Sequence, residues 1–248
     1  MFLEPPKIMK WVPALDQHYF TDKKTLLVSG ASYTASTNQL DCAASWPGFL
    51  YDRCRFDQVI DLSYPGVGNE YIADSIVYAI DQMRPEQKQD CIVGIMWSGL
   101  GWSEEKVTNN GAPMIGTTSY LRKTPHPSKE DFKINTRLSY NKIINTYKYL
   151  QEHNISFFST FYANVLFPPC LPRNDRTCNF ADYLDSKQIL ALQELNWIPN
   201  SPKDCLGDFV FFNDGNIADY HPTVEFNLKW TDQVLLPSLA DVNLIKRI

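Results

Sequence analysis

Four histidines are all that the 248 residues contain, and none stands at metal-ligand spacing from a cysteine. The six cysteines, at 42, 54, 91, 170, 178 and 205, form no Cys-x-x-Cys, so neither a structural zinc site nor any other metal is expected. Basic residues are outnumbered, 23 to 28, for a formal net charge of -5. The short pairs Arg122-Lys123 and Lys246-Arg247 read as solvated surface, and nucleic acid drops out as an expected partner.

Long apolar runs are also missing. The longest uncharged one, Cys91–Trp97, is far too short to cross a bilayer, so no membrane partner is expected. The first ten residues carry an acid, two lysines and two prolines where an export signal has its apolar stretch. The expectation is a cytoplasmic protein with all six cysteines as thiols; Cys170 with Cys178 is the pair placed to bridge in an oxidising compartment.

What is plentiful is aromatic: 14 Phe, 13 Tyr and 6 Trp, enough for a large core and for lining a groove that binds sugars or flat groups. The length suits one α/β domain. Residues 1–24 lack a clear period and read as an arm, 25–240 as the domain, and 241–248 as a tail. Apolar runs at 25–29, 58–62, 91–97 and 155–161 have the pattern of buried parallel strands. Helical patterns cover 43–54, the stretch after Asn69 up to Pro85, 128–153, 181–195 and 223–236; Asn69 reads as the cap of the second. The polar stretch 98–127 reads as loop. Strands alternating with helices predict a three-layer α/β/α sandwich around a central parallel sheet.

In such a sheet ligands bind beyond the carboxyl ends of the strands. Gly30 frees the backbone to turn there and present Ser32. A serine hydroxyl needs a base that is itself oriented by a carboxylate, and the segment Asp219-Tyr220-His221-Pro222 supplies both. Each of the three has a plainer reading alone: Ser32 and Asp219 as turn caps, His221 as a surface residue. Other candidates are poorer. Ser98 lacks the flanking glycines of a nucleophile elbow, and Gly66-Val67-Gly68 lacks the third glycine of a dinucleotide site. Glu104-Glu105 and the acids around Asp214 read as solvated charges, and His18, His126 and His153 have no evident partners.

The order of these segments resembles the SGNH (GDSL-type) hydrolases. Gly30-Ala31-Ser32 is similar to the family's GDS element, with Ala31 in place of Asp. Val59 through Gly66 resembles the second block, whose glycine donates to the oxyanion; Gly66 matches it and Gly68 is the near alternative. Asp219-Tyr220-His221-Pro222 resembles the Asp/His block. The third block departs, because Trp97-Ser98-Gly99-Leu100-Gly101 holds no Asn where the family has an oxyanion donor; Ser98, or an amide near Gly99, stands in that place. The nearest look is to SGNH-like proteins of tailed bacteriophages.

The resemblance implies a serine esterase with Ser32, Asp219 and His221 as triad, Ser32, Gly66 and Ser98 around the oxyanion, and no cofactor. The implied substrate is a small-molecule or glycan ester, such as an acetylated carbohydrate. The rival expectation is a catalytically weak SGNH-like structural or binding protein. It would have a homo-oligomer or virion assembly partner, and a virion location if phage-encoded.

Overall fold

Charge-free β-branched and aromatic runs leave water most favourably when both faces are covered, and the strands of the main sheet are built from such runs. The computed structural model describes residues 8–10, 24–35, 45–99, 104–108, 114–115, 118–122, 128–163, 183–195, 197–198, 204–209 and 222–245. The strands are β1 (Ile8–Lys10), β2 (Thr25–Gly30), β3 (Gln58–Asp61), β4 (Cys91–Trp97), β5 (Glu104–Thr108), β6 (Met114–Ile115), β7 (Thr118–Arg122) and β8 (Ser156–Phe161). The helices are α1 (Trp46–Cys54), α2 (Asn69–Gln82), α3 (Pro85–Gln89), α4 (Lys129–Glu152), α5 (Ser186–Gln193), α6 (Val224–Trp230) and α7 (Leu236–Asp241).

Five strands form one sheet in the order β1-β3-β2-β4-β8, and every adjacent pair is parallel. The parallel sheet read from the runs at 25, 58, 91 and 155 is therefore borne out. All residues of β2, β3 and β4 are buried. Alternate side chains serve two apolar layers: Leu27, Ile60, Val93 and Ile95 meet α2 and α4, whereas Leu26, Val28, Val59 and Ile92 meet α1 and the C-terminal helices. Trp46, Phe158 and Trp230 form an edge-to-face cluster in the second layer, with centroids 5.8 and 6.5 Å from Trp46.

Polar pairs clamp α2 to α4. Lys142 Nζ lies 2.5 Å from Asp74 Oδ1 and 3.8 Å from Glu70 Oε1, and Tyr149 OH donates to Asp81 Oδ1 at 2.5 Å. Ser128 caps α4 in a reciprocal box with Asp131. Between α6 and α7 the helix widens into a π-turn, Thr231–Leu235, where Leu236 N–H donates to Thr231 O. Pro237 accounts for it: proline has no N–H, and in a tight α-turn its ring collides with the carbonyl four residues back. Among the described residues no helix is long and apolar enough to cross a membrane.

The structure departs from the sequence reading in several places. Within 98–127, read as loop, β5, β7 and β6 form a second, antiparallel sheet. In the stretch read as an arm, β1 adds an edge strand beside β3. Pro85 opens α3 at its first turn, while α2 has already ended at an extended Met83. Asn69 is the first residue of α2, and Gly68 is the cap.

Gly94, in the middle of β4, lets two rings close over the sheet. A Cβ there would lie 2.6 Å from Phe158 Cζ and 3.1 Å from Trp46 Cη2. Gly94→Ala is expected to lower the unfolding free energy by about 1–3 kcal/mol through overpacking, read as a lower urea midpoint at unchanged slope.

Candidate functional site

The chain leaves β2 towards β3 on one side and leaves β4 towards β8 on the other, so strand order reverses between β2 and β4. A crevice opens beyond the carboxyl ends of two such strands. Gly30 and Met96 are register partners there, and each strand runs directly into a candidate segment: Ser32 after β2, Ser98 after β4.

The turn carrying Ser32 is tight. Thr34 N–H and Ala35 N–H both donate to Ala31 O, at 3.0 and 2.9 Å, leaving Ser32 half-buried on the outside of the bend. The Gly30 carbonyl accepts from Tyr64 N–H at 3.1 Å, which ties this turn to the segment leaving β3. That segment is pinned in turn. The buried Asp61 carboxylate accepts from Ser63 N–H at 2.9 Å and from the Ser63 hydroxyl, and Tyr71 OH donates to Leu62 O at 2.8 Å. Gly66 follows with φ +82°, a left-handed conformation that suits glycine, and Gly68 leads into α2.

At the end of β4 the backbone of Ser98 is held from the side. Asn69 Oδ1 accepts from Ser98 N–H at 2.7 Å, and Asn69 Nδ2 donates to Ser98 O at 3.2 Å and to Ser139 Oγ at 3.1 Å. Both Asn69 and Ser98 are buried. Beyond it, Gly99 lies under Tyr162, whose hydroxyl would sit 3.0 Å from a Cβ at that position. Tyr162 also leans on Tyr33, centroids 5.1 Å apart, so an aromatic pair links the residue after Ser32 to the end of β8.

Ser32, Gly66 and Ser98 thus come to one edge of the sheet. Asp219 and His221 lie outside the described residues, which resume at Pro222, just ahead of α6. Two contributors were missed from sequence. Asn69 was read as a cap because Asn is common at helix starts, and nothing local signals a partner about thirty residues onward. Tyr162 follows a strand and looks like any core aromatic. Among the described residues no group of three or more His, Cys, Asp or Glu could hold a metal ion.

No family model matches the chain, and no curated protein matches it. Solved structures do. TesA is 15% identical, the match covering 88% of this chain and 99% of that one at a TM-score of 0.52. The psychrotrophic esterase EstA from Pseudoalteromonas sp. is 13% identical over 88% and 98% of the chains, at 0.48. A GDSL-like lipase from Bacteroides thetaiotaomicron is 11% identical over 88% and 89%, at 0.46. The likeness to TesA establishes the fold, the α/β arrangement of the SGNH hydrolases.

The described cysteines offer no rival nucleophile. Cys54, Cys91 and Cys205 are buried free thiols, while Cys42, Cys170 and Cys178 lie outside the described residues. Burial disfavours the thiolate, pushing Cys54 up to about 11 and Cys91 up to about 12 from an ordinary 9.0. Both should resist iodoacetamide at pH 8 in the folded protein and react once urea is added, as mapped by mass spectrometry. Because the unfolded thiols ionise first, their contribution to stability should be intact below pH 9 and decline as pH rises towards the folded values.

Proposed function

We propose that this chain is a serine esterase of SGNH type that removes an acyl group from a small-molecule or glycan ester, with an acetylated carbohydrate as the substrate class. The observation that carries the reading is the placement of Ser32 on a constrained turn at the β2/β4 switch point, with Ser98 at the end of the neighbouring strand. The carbohydrate and the acetyl group rest on the sequence resemblance, as does a setting in a phage.

In this mechanism Ser32 Oγ forms a bond to the ester carbonyl carbon while His221 takes the hydroxyl proton. Asp219 holds the imidazole in the required tautomer and stabilises its charged form. The tetrahedral intermediate places its negative oxygen among the amides of Ser32 and Gly66, with Gly68 at the start of α2 as the alternative to Gly66. Collapse breaks the bond to the alcohol, which leaves with the proton from His221. Water then attacks the acyl-serine by the same steps, releasing the acid and restoring Ser32.

Ser98 replaces the third donor through its hydroxyl, since its amide is already given to Asn69. Preorganised donors of this kind are worth ~100- to 1000-fold in kcat because they stabilise charge that develops only in the transition state.

Ser32→Ala should reduce hydrolysis of an aryl acetate to background, a loss of about 10⁴-fold or more. Ser98→Ala should lower kcat by ~10- to 1000-fold with little change in KM. The competing reading, a structural or binding protein on the same fold, is favoured by the absent third-block Asn. It stands if wild type and Ser32→Ala hydrolyse the ester equally slowly while both remain folded by circular dichroism.

A further inference from the structure

We infer that Asn69 is a positioning residue: it sets the Ser98 turn so that the hydroxyl of Ser98 faces the developing oxyanion. The inference rests on the esterase reading above and extends it to a residue that never touches substrate.

The side chain of Asn69 is fully committed. Its oxygen accepts the Ser98 N–H, and its two amide hydrogens go to Ser98 O and Ser139 Oγ. With donor and acceptor both turned to one residue, it grips Ser98 as the backbone of a neighbouring strand would, supplying one more rung where the ladder of β4 has ended. The exposure of Asn69 is only 2%, so water cannot replace these bonds and the grip is the only partner Ser98's peptide groups have from that side. Asn69 cannot itself donate to an oxyanion, because no hydrogen is left over. What it controls is the backbone from which Ser98 Oγ projects.

Its position makes that control useful. Asn69 adjoins Gly68, three residues from Gly66, so one residue spans the glycine segment after β3 and the donor turn after β4. Its own backbone belongs to α2, which the Lys142–Asp74 pair and the Tyr149–Asp81 bond hold against α4. The third bond of Asn69 reaches Ser139 on that same helix. Catalytic groups held within a fraction of an ångström outperform looser ones by orders of magnitude, and such chains of support are how a fold achieves it.

The test compares four proteins: wild type, Asn69→Ala, Asn69→Asp and Ser139→Ala, with aryl acetate kinetics, melting temperature and amide exchange of the peptide containing Ser98. Asn69→Ala should lower kcat ~10- to 100-fold at a KM within about twofold of wild type, with faster exchange at Ser98. Ser139→Ala, which loses only the outer bond, should lower the melting temperature while kcat stays near wild type. Asn69→Asp covers the case in which the alanine variant does not fold. Its carboxylate turns an acceptor towards Ser98 O, whereas its protonated form restores a donor there, so the ratio of variant to wild-type kcat should rise as pH falls.

An unchanged kcat in folded Asn69→Ala overturns the inference, as does a pH-independent ratio for Asn69→Asp or a kcat loss in Ser139→Ala that tracks the melting temperature. If wild-type turnover does not depend on Ser32, the esterase reading itself fails and the role of Asn69 falls with it. If turnover depends on Ser32 but not on Asn69, only the role of Asn69 is lost.

Discussion

A Cβ at position 30 would lie 2.1 Å from Thr34 Oγ1 and 3.0 Å from Met96 O, so the bend out of β2 closes only because Gly30 has no side chain. With that bend closed, Ala31 O can receive two amides, and Gly30 O can receive Tyr64 N–H from across the gap to β3. The loop after β3 is then held on one side by the nucleophile turn and on the other by Asp61 and Tyr71. Each loop at this edge borrows its shape from a neighbour, and the order of dependence begins at Gly30.

The helix α2 carries that dependence to the next strand. Ion pairs with α4 at partly exposed positions are worth about 1 kcal/mol or less apiece, so their value lies in alignment more than in stability. Buried Ser29 and Ser75, whose hydroxyls lie 2.8 Å apart, join α2 to β2 as well. The helix that delivers Gly68 and Asn69 to the edge is thus fastened to the sheet beneath and the helix beside it.

The sheet was legible in the sequence because β2, β4 and β8 are uncharged runs, and such runs have one stable destination, a strand covered on both faces. The small antiparallel sheet was not, since Glu104, Glu105 and Lys106 at its start carry no apolar alternation. Nor was β1, whose three residues Ile8, Met9 and Lys10 are too few to show a period. At the site, Ser32 could be found because Gly30 marks the bend, and Ser98 because it follows the most apolar strand. Asn69 could not, since its bonds go to backbone atoms of a distant residue, which leave no mark in side-chain pattern. The helix from 223 was foreseen, but its π-turn depends on how Pro237 meets the carbonyls before it.

That π-turn alters the phase of the last helix. The side chains it buries, Asn227, Thr231, Leu235 and Leu239, recur every fourth residue. On a uniform α-helix a step of four advances about 40° beyond a full turn, so such a stripe would wind off the sheet within three steps. One wider turn absorbs part of that winding and keeps Leu239 over the same layer as Trp230. Removing a single residue from this turn would rotate everything after it by about 100°, carrying Leu239 to the solvent side. The helix is in effect spliced at Pro237, and its two halves keep a common bearing on the core only while the extra residue remains.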